Sequence, residues 1–442
     1  HTDLSEYRSI VDKYGLSKFI GYEETVAESK LTGILVDGKI VFEAEAGSEI
    51  ELVLDRTPFY AEGGGQLADG GEIKLANGAL IEISDVQSPL PGLIVHRGVV
   101  KSGLIKSTDQ AVAVIDVQRR LAISRAHTAT HMVHKAFREA LGETATQAGS
   151  ENAPGRFRFD FPSTSAVPVS VLNEVESRVN SLLISNLPVH AEIMSQADAK
   201  ASGAMALFGE KYGDQVRVVS VGDWAKELCG GTHVKGSGEL GLVKLLSESS
   251  IGAGVRRVEA LVGHDAYTYL AKEHLLINSL TELLKGSKAE DLPQRISDLL
   301  DKVKSMEKEI ASVRSAKAMA SIGDLAKKVK KINQNNLVIE KLEDEISVDD
   351  LRALAVNLRA KIESSVVVLA SINSGKPMVV AAVSPEAIKN GVKAGSIIKL
   401  GSEILGGGGG GKDDFAQGGG SDSKLIPKAF SEITNLIVEK SK

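Results

Sequence analysis

The stretch Arg119-Arg-Leu-Ala-Ile-Ser-Arg-Ala-His-Thr-Ala-Thr-His-Met-Val-His-Lys-Ala-Phe-Arg-Glu-Ala-Leu141 marks where the chain changes character. It reads as a helix, closed by Gly142, a residue that suits a left-handed cap. Upstream, from about Lys30 to Val117, short β-prone runs such as Ile34 to Phe42 and Ala111 to Ile115 alternate with glycine turns. That pattern predicts a small, mostly antiparallel β domain. Downstream, a second helix over Val169 to Ile184 precedes the expected strands Val189 to Ile193 and Val216 to Ser220, which makes the middle of the chain α+β.

Beyond about Gly263 the sequence turns helical. Leu292, Ile296, Leu299, Val303, Met306, Ile310 and Val313 recur at alternating spacings of four and three, an a/d heptad seam that suits either a helical hairpin with Ala266 to Leu284 or an intermolecular coiled coil. The tail from Leu337 alternates strand and helix, with helices expected over Val348 to Glu363 and Pro385 to Leu400. A glycine-rich loop over Gly406 to Gly420 and a last helix over Pro427 to Lys440 complete it. The expected fold class is therefore α+β multidomain, with a β-rich domain (1–117), a metal-bearing α+β domain (118–263), a helical coiled-coil linker (264–336) and a C-terminal α/β module (337–442).

A length of 442 residues suits two to four domains rather than one core. With 43% hydrophobic and 25% charged residues the composition is that of a soluble globular protein, and no apolar run is long enough to span a bilayer. A start at His1 instead of Met reads as a boundary inside a longer protein. The single cysteine, Cys229, excludes an internal disulfide framework and fits a reducing, cytoplasmic setting. A net charge of -6 argues against nucleic-acid binding through overall charge but leaves local basic patches, among them Arg119-Arg120, Arg256-Arg257 and Lys327 to Lys331.

His127 and His131, four apart on the helix, project from one face and can share an ion. The lone thiol follows about a hundred residues later in Cys229-Gly-Gly-Thr-His233, adding a thiolate and a third imidazole on a turn that two glycines allow to bend. Thiolate with imidazoles favours Zn²⁺ over Mg²⁺ or Ca²⁺. Four protein ligands are the signature of a closed, structural site, whereas catalytic zinc keeps one position open. His134, a turn beyond His131, reads as a structural or surface residue.

Several strings together resemble the editing region of alanyl-tRNA synthetases: Thr57-Pro-Phe-Tyr-Ala-Glu-Gly-Gly-Gly-Gln66, the two metal motifs, Gln147-Ala-Gly-Ser150, Arg158-Phe-Asp160 and Ala204 to Tyr212. The tail Gly406-Gly-Gly-Gly-Gly-Gly-Lys-Asp-Asp-Phe-Ala-Gln-Gly-Gly-Gly420 is similar to the glycine-rich motif of that family's C-terminal domain. A free-standing editing protein and a tRNA-binding or dimerisation module with structural zinc are the alternatives.

The resemblance implies hydrolysis of serine or glycine from tRNA(Ala). It implies no aminoacylation portion, so that ATP and Mg²⁺ belong to a domain absent here. It also implies tRNA(Ala) as partner, with a homodimer formed through the C-terminal region. An alanine pocket discriminates against glycine or serine by only ~1–3 kcal/mol, so a second, hydrolytic site must complete the selection. Gln147, Thr128, Thr130, Ser150 and Gln66 are the expected polar readers beside the metal, and Asp160 is a candidate base that equally suits pairing with an arginine. Arg158, Arg256, Arg257, Lys412 and Gln417 are the expected tRNA contacts.

Overall fold

The computed structural model describes residues 4–206, 213–286 and 288–441. The chain forms two compact units, His1–Ser279 and Leu280–Lys442.

In the first unit, six strands close on themselves. The sheet runs Gln110–Ile115, Gly71–Leu75, Leu80–Leu90, Leu93–Ser102, Glu49–Leu54 and Val26–Val36, and the last pairs back with the first. All these pairings are antiparallel. Closure leaves no unpaired edge among the six strands. Side chains alternate across the barrel wall: Ile34 and Leu52 fill the interior, while Leu35 and Val53 face outward under Tyr7 and Ile10 of helix α1 (Ser5–Tyr14).

The expected helix is α2 (Val117–Leu141), begun by Asp116, whose side chain accepts the amide of Arg119. Its inner face packs Ala129, Met132, Val133 and Phe137 against Phe157, Phe159 and Phe161 of a four-stranded antiparallel sheet and against Val175 and Val179 of α3 (Val169–Ile184). A separate three-stranded sheet joins Val189–Ser195, Gln215–Val221 and Ala225–Leu228. Of the string Ala204 to Tyr212, residues 207–212 lie outside the described residues.

The second unit carries the heptad stretch on the helix Leu292–Ala320. Ile296, Leu299, Val303, Met306, Ile310 and Val313 are between 41 and 62% exposed, so the seam is not buried in the core of its own unit. Its six-stranded sheet holds a parallel pair, Asn335–Lys341 with Ser365–Asn373, bridged by the helix Val348–Lys361. That helix covers one face, and Ala394–Ile404 with Ile426–Lys440 covers the other. A strand buried on both faces reads as an unbroken apolar run, as Ser365-Val-Val-Val-Leu-Ala370 does.

Two expectations need correction here. The helix expected over Pro385 to Leu400 is two helices, Pro385–Lys389 and Ala394–Ile404, separated at Asn390-Gly391. The glycine-rich segment is a hairpin at the sheet edge, strands Gly409–Gly411 and Phe415–Gly419. Glycine has no side chain to favour a strand, yet here its bareness permits the packing: a Cβ on Gly418 would stand 2.8 Å from Gly409 Cα and 2.9 Å from Ile398 Cγ2.

Candidate metal centre

Helix α2 presents His127 and His131 toward the turn that follows strand Ala225–Leu228, which brings Cys229 and His233 opposite them. The four potential ligand atoms all lie within 4.8 Å of one another. Cys229 Sγ is 3.4 Å from His127 Nε2 and 3.3 Å from His233 Nε2. Both α2 histidines are buried, and His233 on the turn is partly exposed.

Each imidazole is held from behind through Nδ1. His127 Nδ1 meets Gln66 Oε1 at 2.8 Å, His233 Nδ1 meets Thr128 Oγ1 at 2.9 Å, and His131 Nδ1 lies against Glu227 Oε2. This arrangement turns all three Nε2 atoms inward, toward the point where an ion would sit. His131 Nε2 is buried without a hydrogen-bond partner, an orphan that an ion at the centre would satisfy. The donor set thus fits a divalent metal.

The electrostatics of the metal-free cluster differ from ring to ring, and an ion would take the place of the proton on His131. Burial pushes the Cys229 thiol upward, but the His127, His233 and His131 imidazoles outweigh it and hold the thiol well below its ordinary value. Burial lowers His233 to about 3. Burial also disfavours the charged form of His131, yet the Glu227 carboxylate and Cys229 raise it to about 10. Burial raises the Glu227 carboxyl, and the His131 interaction more than reverses it, leaving a carboxylate.

The turn itself is fixed from two sides. Arg217 donates to Cys229 O at 2.9 Å and to Gly231 O at 2.8 Å while its guanidinium sits 3.9 Å above the Tyr22 ring, and the Tyr22 hydroxyl donates to Gly230 O. The glycines serve differently from the sequence expectation of a tight bend, since neither has a positive φ. Gly231 instead runs directly against the His127 ring, where a Cβ would also stand 2.7 Å from Gln66 Oε1.

The remaining expected residues distribute unevenly. Gln66, fully buried, accepts from Thr232 N and donates to Thr232 Oγ1, each at 2.8 Å, besides contacting His127. Its corner is closed by reciprocal bonds between Gly63 and Gln66. Thr130 points into the protein, donating to Ala126 O and meeting Asn152 Oδ1. Gln147 donates to Ser150 Oγ at 2.8 Å. Asp160 takes the arginine partner that the sequence left open, receiving both Nε and Nη2 of Arg257 at 2.7 and 2.9 Å. Arg256 pairs with Glu248, and Arg158 with Glu151. Of the other basic patch, Arg120 is buried on Asp69 and Arg119 donates to Ala68 O. Lys412 and Gln417 are exposed on the glycine hairpin.

Sequence reasoning overlooked Glu227 and Thr232 as site residues and left His134 between surface and structure. His134 is 1% exposed and its Nδ1 donates to Glu227 Oε1 at 2.6 Å. A charged residue two before the cysteine, inward-facing on the short strand Ala225-Lys-Glu-Leu228, was the available signal.

Comparison with known proteins places these parts. Residues 1–119 match the family model for tRNA synthetases class II (A), 216–259 the Threonyl and Alanyl tRNA synthetase second additional domain, and 334–439 the DHHA1 domain. Two of these three models describe parts of aminoacyl-tRNA synthetases. It is 55% identical over 438 residues to an alanine–tRNA ligase of Nocardioides sp., covering 98% of this chain and 49% of that protein. It is 51% identical over 445 residues to one of Streptomyces avermitilis, covering 100% and 50%. The chain belongs to the alanyl-tRNA synthetase family, and it spans about half the length of the curated relatives it matches. A solved structure, the C-Ala domain from Aquifex aeolicus alanyl-tRNA synthetase, is 33% identical with a TM-score of 0.24, covering 25% of this chain and 98% of that one. The class II match corrects the expectation that nothing of the aminoacylation portion is present, because it falls on α1 and the barrel. No helix among the described residues is long and apolar enough to cross a membrane.

Proposed function

We propose that the His1–Ser279 unit is a zinc-dependent hydrolase that removes serine or glycine from mischarged tRNA(Ala), and that the Leu280–Lys442 unit binds tRNA(Ala). The observation that carries this reading is the set of four converging ligand atoms whose three imidazoles are each held from behind by a different side chain. His127, His131, Cys229 and His233 would hold Zn²⁺, which when bound supplies Lewis-acid polarisation or anchors the substrate.

Selectivity rests on the protein's own hydroxyls. With His233 Nδ1–H donating, and Val234 N donating at 3.3 Å, Thr128 Oγ1 accepts twice and keeps its own proton unspent. An unspent donor beside the ligands suits serine's hydroxyl, which alanine lacks. Gln147 and Ser150 form a second polar pair, whereas Thr130 and Asp160, engaged elsewhere, contribute to the frame. With Arg158, Arg256 and Arg257 ion-paired, Lys412 and Gln417 are the better placed tRNA contacts. The exposed heptad face suits a homodimer, and a single cysteine with no disulfide partner a cytoplasmic setting.

A second reading, structural zinc in a tRNA-binding module, is favoured by the closed count of four protein ligands. Release of labelled serine from Ser-tRNA(Ala), run beside Ala-tRNA(Ala) and a Cys229→Ala variant, separates the two. Selective release lost in the variant supports the hydrolase. Tight tRNA binding with no release supports the module.

A further inference from the structure

The three groups behind the imidazoles are not equivalent. Gln66 and Thr128 are neutral, while Glu227 brings a full charge and is 3% exposed. Its carboxylate is divided between two histidines three apart on α2: Oε2 against His131 Nδ1 and Oε1 accepting from His134 Nδ1. His134 Nε2 is buried without a hydrogen-bond partner, so the ring has no competing anchor to draw it off the carboxylate.

We propose that Glu227 is a positioning residue for the metal centre, fixing His131 as a ligand through Nε2, and that His134 braces the carboxylate from its other oxygen. This rests on the zinc reading above. Two consequences follow from the chemistry. A carboxylate accepting Nδ1–H fixes the tautomer and raises the basicity of Nε2, strengthening its hold on an ion. The charges also balance, because the Cys229 thiolate and the Glu227 carboxylate together offset a divalent cation in a buried site. Strand Ala225–Leu228 is strapped to α2 by the same group, so the Cys229 turn and the α2 ligands are set in register by one side chain.

The test is Co²⁺ affinity of the whole chain by chelator competition, read with the visible absorption of bound Co²⁺, for wild type, Glu227→Gln, Glu227→Ala and His134→Phe. Glu227→Gln removes the charge at constant shape and is expected to weaken Co²⁺ about tenfold, with Glu227→Ala nearer a hundredfold. His134→Phe is expected to fall between wild type and Glu227→Gln and to shift the ligand-field bands. Melting of the metal-free proteins reports folding separately, and if Glu227→Ala does not fold, the isosteric Gln variant decides. Affinities within threefold of wild type with unchanged spectra overturn the proposal and leave the zinc reading standing. A wild-type chain that takes up no Co²⁺ or Zn²⁺ overturns both.

Discussion

Gln66 Oε1 accepts two hydrogen bonds at 2.8 Å, from His127 Nδ1 and from the Thr232 backbone amide, so a barrel residue sets the ring of one candidate ligand and the turn carrying two others. Gln66→Leu, which keeps the volume and removes the acceptor, is expected to weaken Zn²⁺ binding about tenfold. Competition with a chromogenic chelator measures it, and unchanged affinity would make Gln66 an ordinary buried amide.

Gly231→Ala places a Cβ into the His127 ring, whereas Gly230→Ala finds only Tyr22 Oη, at 4.0 Å. The first substitution is expected to cost about 2 kcal/mol or more and to abolish stoichiometric metal binding, the second to leave both within error. Thermal melts and metal analysis of the two purified variants check the contrast. Equal behaviour would mean that the turn relaxes around the added methyl.

Acid should loosen the barrel through His96, which lies fully buried between Leu52 O and Thr57 Oγ1, each at 2.8 Å. Burial lowers its pKa from 6.5 to about 4, so the neutral ring favours folding above pH 6.5 and that contribution is lost progressively as pH falls toward 4. The loss amounts to roughly 3 kcal/mol at its limit. His96→Gln should flatten the pH dependence of the melting temperature between pH 7 and 4.5, and an unaltered slope would assign that dependence to other groups.

Chelation of the metal should destabilise one unit only. All four candidate ligands belong to His1–Ser279, so EDTA is expected to lower its unfolding transition, by about 4 kcal/mol if the ion had stood at a thousand times its Kd, and to leave Leu280–Lys442 unmoved. Hydrogen exchange resolved by peptide distinguishes the units, and equal loss of protection in both would refute the assignment.

Replacing Val303, Met306 and Ile310 together with Gln should leave the monomer's melting temperature within about 2 °C, because all three are at least half exposed. Any dimer seen by sedimentation velocity should dissociate in the variant. A dimer that persists has its interface elsewhere.

Much of the fold was legible because the patterns were long. The 25-residue α2 and the 16-residue α3 declared themselves by periodicity, and Val366-Val-Val-Leu369 by its unbroken apolar run. The glycine hairpin did not, since strand preference resides in side chains that those residues lack. Nor did barrel closure, which depends on Gln110–Ile115 pairing with Val26–Val36 across the whole of residues 37–109. In the site, ligand spacing pointed to His127, His131, Cys229 and His233; Glu227 and Thr232 stand beside those ligands in the sequence, but their partners His131, His134 and Gln66 are brought to them only by the fold.

The Gln66 and Thr232 contact joins two stretches that match different family models, residues 1–119 and 216–259. Domain boundaries drawn from sequence cut between them, yet the hydrogen bonds do not respect that cut. A shortened chain beginning at α2 would keep every candidate ligand and lose the amide that orients His127. Its metal content would then report how well the severed barrel can be supplied in trans, turning ion uptake into an assay for reassembly.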